Sequence, residues 1–125
     1  MQTILIDIEN GSIKPVDVPD SLDAFYELLN CRTIDITQRK IKGKVFDVMC
    51  DDEGLLKDYC LVSAYDSSGR VALVGNLMFF HTDRDGNLVG ISDDECVHIL
   101  SCIETAIDVD TGFCIPVLTQ CDFNY

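Results

Sequence analysis

The sequence predicts a single α+β domain, in which a mixed or mainly antiparallel sheet is packed by two helices. Three observations carry this. Short apolar runs, alternating or continuous, recur along the chain and are punctuated by Asn-Gly and Asp-x-x-Gly turns. Only two stretches, about residues 21–30 and 93–107, place apolar residues at helical spacing. The length of 125 residues is that of one ordinary domain, and 47% hydrophobic residues with 8 Gly and 3 Pro is a globular composition.

The elements follow in order. Residues 2–8 alternate around Ile4, Ile6 and Ile8, as a strand with one buried face does. Glu9-Asn10-Gly11 reads as a tight turn, and Ile13, Val16 and Val18 mark a second strand. Pro15 has no N–H for a ladder, so that strand belongs at an edge. Asp20 or Ser21 can cap the first helix, whose Leu22, Phe25, Leu28 and Leu29 share a face. A short strand at 33–37 turns Ile34 and Ile36 inward, and 45–50 forms another, ended by the Asp51–Gly54 turn. Residues 59–65 suit a further strand, closed by Asp66-Ser67-Ser68-Gly69. Residues 71–81 read as one long strand covered on both faces, with Gly75 marking a bulge or a close backbone approach. Asp83–Gly86 turns into 88–91. Ser92-Asp93-Asp94-Glu95 is a capping box that opens the second helix, with Cys96, Ile99, Leu100, Ile103 and Ile107 as its buried stripe. The tail, 108–125, reads as an extension with one extended piece at 113–118. The expected core is Ile4, Ile6, Phe25, Leu29, Leu73, Leu77, Phe79, Leu100 and Ile103.

Charge and motifs narrow the function. The net charge of −13 is lopsided: residues 1–44 hold 7 acids against 6 bases, residues 45–125 hold 15 against 3. Such a field repels phosphates, so direct nucleic-acid binding is disfavoured. No window has the roughly 18 apolar residues of a membrane span. The start has no basic region and Asp7 breaks its apolar run, so no signal peptide is expected and the cytoplasm is the expected compartment. Seven cysteines without C-x-x-C spacing then read as small buried hydrophobes.

No catalytic residue, cofactor or metal is implied. Asp110-Thr111-Gly112 copies an aspartic-protease triplet but lacks the partner motif, and reads as a turn. Neither Asp83–Gly86 nor Asp108–Gly112 keeps calcium-loop spacing. His81, Cys96, His98 and Cys102 can be imagined as a zinc set, yet core thiols and a surface histidine explain them more simply. No phosphate-cradling glycine loop is present. Two groups remain as binding candidates: the basic run Arg39, Lys40, Lys42 and Lys44, read as a solvated loop, and the acids Asp51, Asp52, Glu53, Asp93 and Asp94.

The order of Leu22–Leu29, Ile34-Asp35-Ile36, the Cys50-Asp51-Asp52-Glu53-Gly54 turn, the Val74-Gly75-Asn76 strand and the Ser92–Glu95 helix start is similar to a family of small uncharacterised proteins. These come from Gram-positive gut bacteria, their phages and mobile elements, and are known only as a domain of unknown function. The resemblance covers about residues 2–105 and departs at Lys57-Asp58-Tyr59-Cys60. It supplies no catalytic residues, but it implies an accessory protein of a phage or mobile element. The leading expectation is thus a non-catalytic factor with a protein partner. An acidic DNA mimic and a small-molecule or nucleotide binder, with a pocket near Gly75 rimmed by 39–44, are the alternatives. Edge strands such as that holding Pro15 leave a homodimer open.

Overall fold

The computed structural model describes residues 1–54, 61–107 and 109–124. Its order is β1 (Gln2–Asp7), β2 (Ser12–Asp17), α1 (Leu22–Leu29), β3 (Ile34–Ile41), β4 (Lys44–Asp51), β5 (Val62–Tyr65), β6 (Val71–Val74), β7 (Met78–Thr82), β8 (Leu88–Val89), α2 (Asp93–Leu100), β9 (Ile103–Ile107), β10 (Cys114–Leu118) and β11 (Cys121–Phe123). Among the described residues three sheets form: β1-β2, β6-β5-β10-β9 and β11-β3-β4-β7-β8. The described strands pair antiparallel except β5 with β10. This is a small α+β fold in which strands dominate.

The five-stranded sheet is the centre. Alternation along β4 and β7 sends Phe46, Val48, Cys50 and Phe79 to one face, where they meet Ile4, Ile6, Ile99 and Leu118. Met49, Met78 and Phe80 go to the other, under Phe25 and Leu29 of α1. β1 lies beside β7 and is fastened by Thr3, whose hydroxyl donates to the Phe79 carbonyl at 2.5 Å and accepts from its N–H at 2.9 Å. Ile6 and Leu77 exchange main-chain bonds of 2.9 and 3.0 Å one step further along.

Among the described residues β2 is an edge strand paired only with β1, and Pro15 sits opposite Ile4. Ser21 is the N-cap of α1, but its side chain makes no capping bond; its carbonyl accepts from Phe25 N–H instead.

Several expectations are corrected. The second helix ends at Leu100, and Ile103–Ile107 is strand β9. Apolar residues at 96, 99, 103 and 107 satisfy helical spacing, but Ile103, Thr105 and Ile107 also alternate, and pairing along β10 decides between the two periods. Leu100 is consequently 45% exposed rather than core, Leu73 and Ile103 are half-buried, and Ile107 is 67% exposed. The run 71–81 is two strands in different sheets, broken at Gly75 (φ 76°) and Asn76. β3 extends to Ile41, and Ile36 lies 45% exposed rather than inward. The basic run is therefore a β-hairpin: Lys42 (φ 47°) and Gly43 (φ 82°) form its two-residue turn, as primed turns require. Of the strand expected at 59–65, residues 59 and 60 lie outside the described residues, as does the 57–60 departure from the family pattern. The tail supplies β10 in the middle of one sheet and β11 at the edge of another.

Candidate functional site

Two places concentrate chemistry on this scaffold. The first lies where α2 meets the sheet. Glu95 occupies position N3 of α2, and its Oε1 accepts from the Ser92 N–H at 3.0 Å while Ser92 Oγ accepts from the Glu95 N–H at 3.2 Å. This completes the capping box. Its Oε2 faces His81 Nε2 of β7 and lies 3.4 Å from Lys44 Nζ of β4. His81 stacks on Phe46 with ring centres 5.2 Å apart, and His98 tilts against the same ring at 6.2 Å. The His98 Nε2–H donates to the Ile41 carbonyl at 2.7 Å.

Burial pushes the Glu95 carboxyl up, but the Ser92 amide, His81 and Lys44 more than offset it and hold it at about 2. At neutral pH it has no proton to give and little basicity. Both Glu95 oxygens have partners, and these contacts fasten the N-terminus of α2 to β4 and β7.

The second place is the loop between β9 and β10. Val109 is 92% exposed and Phe113 71% exposed, next to the exposed Ile107. Beside them runs an open groove of about 510 Å³, lined by Ile8, Glu9, Gly11, Leu61, Phe113 and Cys114 among others. Asp110-Thr111-Gly112 sits in this loop as a turn and follows a strand, not the helix end that the sequence suggests.

The sequence-derived binding residues are scattered over the fold. Arg39 is not in a solvated loop. It is buried on β3, its guanidinium lies 4.0 Å over the Phe123 ring, and its Nε–H donates to Thr37 Oγ1 at 3.3 Å. We expect Arg39→Ala to cost about 1–2 kcal/mol in urea unfolding through lost packing and cation–π contact. Lys40 is half-buried, Lys42 is exposed at the turn, and Lys44 is held by Glu95. Asp51 is buried with its Oδ1 accepting from the Glu53 N–H at 2.9 Å, Asp52 is exposed, and Glu53 lies 3.8 Å from Arg32. Asp94 is exposed, and Asp93 accepts from Gln2 Nε2 at 3.0 Å. The pairing of Met49 with Met78 and Asp47 with Phe80 sends β7 towards the start of β4. The Asp83–Asp85 acids thus lie at the opposite end of the sheet from Asp51–Glu53.

A smaller cavity of about 270 Å³ lies between Cys50–Gly54 and Val71–Val74, close to Gly75, and no residue of 39–44 lines it. Burial pushes the thiols of Cys50 to about 11 and of Cys121 to about 12, so both stay protonated. His81 and His98 are drawn to Glu95 and Ile41, and among the described residues no three His, Cys, Asp or Glu side chains gather into a metal-holding group. No helix among the described residues is long and apolar enough to cross a membrane.

In the sequence, Phe113 stands out only as the start of an extended piece, and Glu95 as a cap and a member of an acid cluster. The signal for the loop was an aromatic and a valine beside an Asp-Thr-Gly turn, where polar residues are the rule. No curated protein and no solved structure matches the chain. The sequence model of one family spans residues 1–104, and the chain belongs to that family, the domain of unknown function DUF3846.

Proposed function

We propose that this chain is a non-catalytic protein-binding accessory factor, acting in the cytoplasm in a phage or mobile-element setting. The observation that carries it is the exposed apolar loop of Ile107, Val109 and Phe113 beside the open groove. Side chains of this size left in water at one place are the mark of a protein contact. Glu9 lines the groove and the chain carries −13, so the fitting partner presents an apolar side chain flanked by Lys or Arg. The setting rests on the resemblance of the sequence motifs to a family placed in phages and mobile elements.

A DNA mimic needs its carboxylates gathered on one face. With Asp51–Glu53 and Asp83–Asp85 at opposite ends of the sheet, we favour the apolar contact. The test is retention of host proteins on immobilised wild type and Phe113→Asp, with nuclease, at low and high salt. We expect a stoichiometric partner that survives high salt and is retained at least about 10-fold less by Phe113→Asp, with circular dichroism unchanged. A partner held equally by both proteins, or none at all, removes this reading. A nucleic-acid enzyme that leaves as salt rises restores the mimic.

A further inference from the structure

A sheet edge exposes unpaired N–H and C=O groups, and stable monomers blunt such edges with proline, lysine, bulges or brevity. Four edges here are blunted. β2 carries Lys14 and Pro15, β6 pairs through an irregular register, β8 has 2 residues and β11 has 3. β9 differs: it is 5 residues long, its pairing with β10 is regular, and it contains neither proline nor lysine.

Its partner strand fixes which way its main chain points. Thr105 lies opposite Pro116. Proline has no N–H, so this is a non-hydrogen-bonded pair, and the N–H and C=O of Thr105 turn away from β10. By alternation, those of Ile103 and Ile107 turn outward too. Among the described residues no other main-chain group bonds to this edge.

We propose that two copies of this chain join β9 to β9, antiparallel and centred on Thr105. This register pairs Thr105 with its own mate and Ile103 with Ile107, so that about six main-chain hydrogen bonds form. Each exposed Ile107 gains an isoleucine neighbour, and each Glu104 faces an Ala106. Centring on Glu104 instead would set Glu104 against itself, and centring on Ala106 would set it against Asp108. Of these three registers, Thr105 gives the one in which no acids face each other. The two Phe113 loops end at opposite ends of the joined sheet, which makes the dimer bivalent for a partner. The net charge of −13 on each copy opposes association, so added salt strengthens it.

Sedimentation velocity and light scattering from about 1 μM to 1 mM protein test this. Thr105→Pro removes only an N–H that β10 does not use, in an extended stretch that proline tolerates. We expect wild type to dimerise, Thr105→Pro to raise the dissociation constant at least about 30-fold with unchanged circular dichroism, and Ala106→Lys to lower it by placing Lys opposite Glu104. A wild type that stays monomeric at moderate salt overturns the proposal, and so does a folded Thr105→Pro that dimerises as wild type does. Should Thr105→Pro misfold, Ala106→Lys and Ala106→Glu decide, since equal constants for the two overturn it. Phe113→Asp leaves the dimer intact, so failure of the partner-binding reading is separately visible.

Discussion

Replacing Gly90 by alanine is expected to destabilise the protein by about 3 kcal/mol, or roughly 10 °C in melting temperature at this size. A Cβ built on Gly90 falls 2.6 Å from the Gln2 nitrogen and 2.8 Å from the Gln2 oxygen. Both are main-chain atoms, so no side-chain rotation relieves the clash. The neighbouring contacts resist a shift as well. Ile91 N–H donates to the Gln2 carbonyl at 2.8 Å, and Gln2 Nε2 donates to the Ile91 carbonyl at 2.9 Å and to Asp93 at 3.0 Å. Moving β1 aside breaks these bonds and strains the Thr3 bridge to Phe79 next to them. Gly43→Ala is the useful contrast. Its Cβ meets nothing within 4 Å, so only its φ of 82° is penalised, at about 1 kcal/mol. Chemical denaturation of the two variants measures the difference. Equal losses would show that β1 gives way at Gly90 and is not held rigidly by its bonds to Phe79 and Ile91.

The value of Gly90 was invisible in the sequence because its neighbour is 88 positions away in the chain. What the sequence could show was local. The Ser92–Glu95 capping box and the Asp83–Gly86 turn form where their residues place them, because both motifs satisfy their own main chain. The first helix and its Phe25 and Leu29 are equally local. Errors arose where two periods coexist, as at Ile103 and Ile107, or where burial depends on what lies above. Leu100 and Ile36 have the right residue type for a core, but each is left 45% exposed. Arg39 shows the reverse. A cation in a basic run looks like surface, yet Phe123 of the last strand gives its guanidinium a ring to lie on. β11 itself escaped notice because 3 residues carry no period. The candidate site was harder still. Lys44, His81 and Glu95 come from three separate elements, and only tertiary packing sets them on one carboxylate.

That carboxylate sets the second large effect, which depends on pH. The folded Glu95 titrates at about 2, below its ordinary 4.5. A carboxyl whose folded value is depressed adds stability above the unfolded value, and that stability disappears as pH falls through the folded one. Glu95 therefore contributes up to about 3 kcal/mol at pH 7 and almost nothing near pH 2. Glu95→Gln keeps an oxygen for the Ser92 amide but removes the charge that meets His81 and Lys44. We expect it to cost about 2–3 kcal/mol at pH 7, with the gap to wild type closing between about pH 5 and pH 2. Asp66 and Asp83 also titrate low through main-chain hydrogen bonds to their own turns, but they are common to both proteins and cancel from the difference. Urea unfolding of both proteins at several pH values gives the comparison directly. A gap that is constant across the range would mean that Glu95 acts through shape and hydrogen bonding alone. A gap that closes on acidification identifies the charge on Glu95 as what holds α2, and with it the turn into β9, against the sheet.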